Sequence, residues 1–248
     1  MFQPASLKGD SPTPIDERFR NKYLILYLII IILSFIPCVI FEYVYIELFW
    51  RKGIYLLFFF LIPFNFIILI HLLQLSAILI SLLFLIVIKL IFPPREGIFN
   101  RDLKDKNYIY WNIRNVIKKW PLFINASNPF PWLKNRFTLR FFGVKIGKNG
   151  IHDNSWISSE FVSIGKNVII GMGSTLLSFG IEQDKFILKK IVIENDVLIG
   201  AKCVILPGTH IKHNTKLSAH SYTNHNAVLE ENSIYIGHPA KIKKNVKV

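Results

Sequence analysis

Proton-transfer chemistry needs a titratable side chain close to a reacting group, and such side chains collect in the C-terminal half of this chain. Glu160 and Glu182 bracket Ser178, and six histidines share the region: His152, His210, His213, His220, His225 and His238. A glutamate with a raised pKa can act as a general base. Glu160, Glu182 and Ser178 are therefore the candidate catalytic residues. His220 or His225 could supply a base instead, although a histidine exposed on a turn is the simpler reading of each. His210 and His213 lie close in sequence. A metal site needs ligands converging on one point, and no spacing here enforces that. No metal is expected. Gly171-Met172-Gly173 does not make a phosphate loop.

These residues sit in a repeat. Aliphatic residues recur every six positions at Ile164, Ile170 and Leu176, and again at Ile193, Ile199, Ile205, Ile211 and Leu217. Four places after most of them stands a small or β-branched residue: Val168, Ser174, Val197, Cys203, Thr209, Thr215 or Ser221. A period of six fits neither a helix nor an alternating strand. It fits a parallel β-helix whose short strands and turns stack coil on coil. Cys203 falls on an inward position, which makes it a core residue rather than a nucleophile. An 18-residue coil places Glu160 beneath Ser178. The register breaks between Leu176 and Ile193, so residues 180–190 should leave the helix as a loop that Glu182 opens. A polar loop projecting from a rigid solenoid is a natural place for function.

The other half is apolar. The chain has 248 residues, 52% of them hydrophobic, and a formal net charge of +14. That composition excludes disorder, and two cysteines exclude a disulfide scaffold. Residues 1–22 form a polar tail, placed in the cytoplasm. Residues 23–92 hold the long apolar runs, read as two or three transmembrane spans. The run 54–90 is either one long helix or a hairpin broken around His71 to Ser76. A cleaved signal peptide does not fit, because a polar tail precedes the first run and no small-residue cleavage site follows it.

Residues 93–140 carry ten basic and three acidic groups among aromatic residues, Phe130 and Trp132 included. Ile109, Ile113, Val116, Ile117 and Trp120 recur at helical spacing, with Arg114, Lys118 and Lys119 between them. This pattern reads as a basic, aromatic, interfacial helix facing lipid headgroups. Nucleic acid is the weaker alternative beside a membrane segment. Basic flanks favour the cytoplasmic side for this segment and for the β-helix of residues 141–248.

The block Ile191 to Ile211, with its Leu-Pro-Gly turn, resembles the hexapeptide-repeat acyltransferases, whose fold is a left-handed parallel β-helix. Gly237-His238-Pro239-Ala240-Lys241 is similar to the family's closing Gly-x-Pro-Ala-Lys. Phe141 to Gly147, Glu160 to Gly165, Lys89 and Arg95-Glu96-Gly97 look like one particular group. That group is the membrane-bound acyltransferase-like C-terminal domain of polylysine-type nonribosomal peptide synthetases.

The resemblance implies transfer of an acetyl or other acyl group from acyl-CoA to a hydroxyl or amine. It implies acetyl-CoA or another acyl-CoA as co-substrate, with Gly200, Ala201, Ser218, Ala219 and Lys241 as the binding positions. It also implies a homotrimer as the family's common assembly. The family's base is a histidine just before the loop, and Phe179 occupies that position here. Phenylalanine takes no proton. Two readings follow: a membrane-anchored acyltransferase with another base, or a β-helix scaffold that has lost catalysis.

Overall fold

The computed structural model describes residues 23–102, 104–126, 137–152, 155–182 and 185–245. The tail 1–22, Phe130, Trp132 and Gln183 lie outside the described residues. The chain divides into a helical unit and a β unit.

In the helical unit, α1 (Leu24–Tyr45) runs on through a π-helical turn at Ile46–Trp50, and α2 spans Tyr55–Ile91. The second apolar run is thus one continuous helix. Its 37 residues extend about 56 Å, and it passes through Pro63 without ending. About half of the side chains on both helices are apolar and exposed. By length and composition both helices could cross a membrane.

The polar residues of these helices mostly turn inward onto carbonyls. Ser76 Oγ donates to the Ser34 carbonyl at 2.6 Å, and Asn65 Nδ2 donates to Glu42 at 2.8 Å. Each buried donor that finds an acceptor avoids a desolvation penalty of about 1–3 kcal/mol.

Helix α3 spans Lys106–Ala126, and from Asn112 its residues belong to the helical unit. Its basic groups do not form the expected headgroup-facing surface. Arg114 and Lys118 are only 2% and 1% exposed. Spaced four apart, they share a face with Ile117. Ile117 is fully buried, and its carbonyl accepts from Ser81. Only Lys119 of the three basic residues stays exposed, with Nζ 5.9 Å from the centre of the Tyr27 ring.

The β unit opens with β1 (Gly97–Asn100) and the one-turn helix α4 (Leu139–Phe142). A parallel β-helix follows. Its first face stacks β2 (Lys145–Ile146), β4 (Val162–Ile164), β9 (Ile191–Ile193), β12 (His210–Ile211) and β14 (Val228–Leu229). The second stacks β5 (Ile169–Ile170), β10 (Leu198–Ile199), β13 (Lys216–Leu217) and β15 (Ser233–Gly237). The third stacks β3 (Trp156–Ile157), β6 (Thr175–Leu176) and β11 (Val204–Ile205). Strand β16 (Ala240–Asn245) folds back antiparallel on β15.

Every aliphatic residue of the six-residue period points inward and is at most 4% exposed. Burying each such side chain is worth about 1.5–3 kcal/mol, and the stack continues from coil to coil. Asn167, Asp196, Asn214 and Asn232 all take positive φ at one corner. These side chains also bond in pairs there, Asn167 to Asp196 at 2.9 Å and Asn214 to Asn232 at 2.7 Å. Short Asx side chains tolerate that backbone.

Close stacking at another corner demands glycine. A Cβ on Gly200 would stand 2.3 Å from the Ala219 amide nitrogen, and one on Gly171 would stand 2.4 Å from that of Ala201. Neither contact can be relieved by moving a side chain. Gly200→Ala should therefore lower stability by about 2–3 kcal/mol, read as a drop of several degrees in the thermal midpoint of the detergent-solubilised chain. An unchanged midpoint would show that the coils can separate there.

Candidate active-site corner

Between the third and first faces the chain leaves the β-helix. It runs out as β7 (Phe179–Glu182), returns as β8 (Lys185–Leu188) and rejoins at Ile191. The excursion is an antiparallel hairpin rather than irregular loop, and β1 pairs with β8 to widen it to three strands. Aromatic packing holds it. Phe186 is fully buried, with ring centroids 4.6 Å from Trp111 and 5.3 Å from Tyr108. Phe179 joins the same cluster, 4.9 Å from Trp111 and 6.2 Å from Trp156. At the root of the hairpin, the Lys190 amide donates to Glu96 at 2.9 Å.

The sequence-predicted catalytic residues sit around this corner in different states. Ser178 is buried, and its hydroxyl donates to the backbone carbonyl of Glu160 at 2.6 Å. Its amide donates to Ser158 Oγ at 3.0 Å. These bonds tie Ser178 into the coil stack. Glu160 is 7% exposed. Glu182 stands out on the hairpin with its side chain 57% exposed, and its Oε1 lies 2.9 Å from His225 Nε2. His225 belongs to the turn after the third face. Beside it, Asn226 Oδ1 accepts from Lys189 Nζ at 2.7 Å. The sequence spacing did not pair Glu182 with His225, because the contact joins the hairpin to a different coil.

The predicted acyl-CoA positions lie at the corner between the second and third faces. Gly200 packs directly on Ala219 and Gly171 on Ala201, so these positions form one column. Their backbone is largely committed to the coil stack. Gly200 N–H donates to Leu217, Ser218 N–H to Tyr235, and the Ala201 carbonyl accepts from His220. Lys241 lies on β16 opposite Ile236. The turn before it docks on the third face, with Ala240 N–H donating to the Tyr222 carbonyl at 2.7 Å and Tyr222 N–H to Gly237 at 3.2 Å. The His238 and Tyr222 rings lie 5.7 Å apart. A short strand, β11, separates this corner from the hairpin corner.

The remaining groups have structural roles. Cys203 is fully buried, and burial pushes its thiol above the usual range. Glu194 accepts from His210 Nε2 at 2.7 Å, and His213 Nδ1 lies 3.2 Å from Glu231. The His210 hydrogen bond, with that from the His213 amide, holds the Glu194 carboxyl below the ordinary range against a desolvation that raises it. Among the described residues no group of three or more His, Cys, Asp or Glu side chains is arranged to hold a metal.

Residues 190–222 match the family model described as the hexapeptide repeat of succinyl-transferase. Those residues therefore carry hexapeptide repeats, and the chain is similar to acetyltransferases. YvoF of Bacillus subtilis strain 168, named as a candidate acetyltransferase, is 31% identical over 100 residues. The match covers 39% of this chain, and the chain spans 58% of the length of that relative. Two solved structures also align. A galactoside acetyltransferase in complex with coenzyme A matches at 20% identity and TM-score 0.46, over 61% of this chain and 88% of that one. A Vibrio cholerae O1 biovar eltor hexapeptide-repeat acetyltransferase with acetyl-coenzyme A matches at 19% and 0.45, over 53% and 86%.

Two outcomes follow from these bonds. Ser178→Ala removes a buried donor from a carbonyl and should cost about 1–2 kcal/mol of stability in a denaturation curve. No loss would free Ser178 for another role. Because Glu194 is depressed in the folded state, its stabilisation is complete above the ordinary glutamate range and disappears as pH falls through the lower folded value. Wild type should therefore lose thermal stability relative to Glu194→Gln as pH drops from 6 to 3. Parallel curves would contradict the His210 contact.

Proposed function

We propose that this chain is a membrane-anchored acyltransferase. It moves an acetyl or other acyl group from acyl-CoA to a hydroxyl or amine of a membrane-associated acceptor. The reading rests above all on a hexapeptide-repeat β-helix whose hairpin carries a solvent-accessible carboxylate, Glu182, at its outer strand. The helix is taken as left-handed, as in the family that the repeat resembles. The two apolar helices serve as the anchor, with the β unit on the cytoplasmic side. The upstream likeness to the membrane-bound domain of polylysine-type synthetases supports an acceptor presented at the bilayer.

In this reading acyl-CoA runs along the third face. Its far end meets Gly200, Ala201, Ser218, Ala219 and Lys241. Its thioester reaches the hairpin corner, where Glu160, Glu182 and Ser178 are the candidate catalytic residues. The cation of Lys241 complements the coenzyme's phosphates. A homotrimer through the β-helix would cover the exposed outer faces of the strands, including Ile151, Ile169 and Leu198.

One observation favours a second reading. Phe179, at the family's histidine position, is packed into an aromatic cluster and takes no proton. The chain would then be a β-helix scaffold that binds acyl-CoA without turnover.

Detergent-purified protein should bind acetyl-CoA and release free CoA when acceptor is supplied. Lys241→Ala should weaken binding about tenfold, the effect of one charge-assisted contact. Binding without release would support the scaffold, and no binding to acetyl-CoA or longer acyl-CoAs would exclude both acyl-CoA readings.

A further inference from the structure

The hairpin is latched to the β-helix by two adjacent residues of one turn. His225 reaches Glu182 on the outgoing strand, Nε2 to Oε1 at 2.9 Å. Asn226 receives Lys189 just after the returning strand, at 2.7 Å. The turn therefore fixes both legs of the hairpin, and it comes from a coil beyond the one that the hairpin leaves.

The imidazole has a defined seat. A Cβ on Gly180 would lie 3.3 Å from His225 Cε1, with Pro207 Cγ at 3.7 Å on the same side. The ring thus lies close over the bare Cα of Gly180. Its Nδ1 is buried and has no hydrogen-bond partner among the described residues. A neutral ring with no acceptor at Nδ1 carries its proton on Nε2, where it donates to Glu182. The buried nitrogen is shut away from solvent, so this histidine is badly placed to take a proton from a substrate. Glu182 is well placed. Its side chain is 57% exposed, and one carboxylate oxygen, Oε1, is held by the imidazole.

We propose that Glu182 is the proton acceptor of the acyl transfer and that His225 is its positioning residue. The inference rests on the acyltransferase reading above. It gives the chain a base although Phe179 takes the place of the expected one, three residues further along the same strand. In the step, Glu182 takes the proton of the acceptor hydroxyl or amine. The acceptor atom bonds to the thioester carbonyl carbon. The carbon–sulfur bond then breaks, and the CoA thiolate leaves with the proton that Glu182 returns. Acyl-CoA and acceptor become acylated acceptor and CoA thiol, with no net change in protons. His225 contributes by holding the carboxylate at one angle, which matters because a displaced base loses most of its advantage.

The test uses the full chain in detergent micelles, with acetyl-CoA as donor and hydroxylamine as a small acceptor, following free thiol. Binding of acetyl-CoA is measured on the same samples. Glu182→Gln should lower kcat about 100-fold, within the span of a general base, while acetyl-CoA affinity stays within twofold. His225→Ala should lower kcat about tenfold at unchanged KM for acetyl-CoA. His225→Gln, whose amide can reach the carboxylate from the same side, should recover activity to within about threefold of wild type. A merely structural role for His225 would move stability and KM together and would not be rescued in kcat alone.

Wild-type turnover that survives Glu182→Gln, or an inert His225→Ala, overturns the assignment and leaves the acyltransferase reading intact. Wild type that binds acetyl-CoA but releases no thiol overturns the assignment and favours the scaffold. Wild type that binds no acetyl-CoA fails at the underlying reading, and the base assignment falls with it.

Discussion

The separation of neighbouring coils governs the β unit. Parallel strands hydrogen-bond at about 4.8 Å, and every corner must accept that spacing. At the corner of Gly171, Gly200, Ala201 and Ala219 the backbones come so close that even a methyl group meets main-chain atoms. At the opposite corner the same spacing lets Ser178 bond the Glu160 carbonyl of the coil before it. The inward aliphatic residues fill the space the corners enclose. Change the spacing and the core, the small-residue column and the hairpin root all lose their fit.

The hairpin departs from this regular stack because aromatic packing offers an alternative. Leu176 pairs beside Ile205 across it, whereas Ile211 pairs beside Ile193 in an ordinary coil. The extra residues do not wander. Phe179 and Phe186 turn toward Trp111, and β1 adds a third strand. A ring at position 179 strengthens that cluster, while an imidazole there would bring a polar edge into it. Packing therefore favours the phenyl ring at this position.

The helical unit solves a different problem. Helices this apolar satisfy their own backbone and bury little against water, so their mutual fit depends on the few polar side chains. Ser34, Ser76 and Ser81 are buried, and Ser76 and Ser81 bond carbonyls of neighbouring helices. Arg114 and Lys118 are likewise drawn inward on α3, against the expectation that a basic face stays with headgroups.

The sequence alone determined the β-helix, because its six-residue period leaves no other regular structure that buries every aliphatic residue. It also placed the break at the hairpin and marked Cys203 as core. The asparagine corner also has a sequence signal, since Asn or Asp recurs in step with the coils at 167, 196, 214 and 232. Only the tertiary structure decided that residues 54–90 make one helix, that Arg114 and Lys118 turn inward, and that Ser178 spends its hydroxyl on a carbonyl. It alone brought His225 to Glu182. That contact joins residues 43 positions apart, across an inserted hairpin whose own geometry follows from aromatic packing. A repeat fixes what happens within a coil; where a projecting segment lands is set by the surfaces it meets.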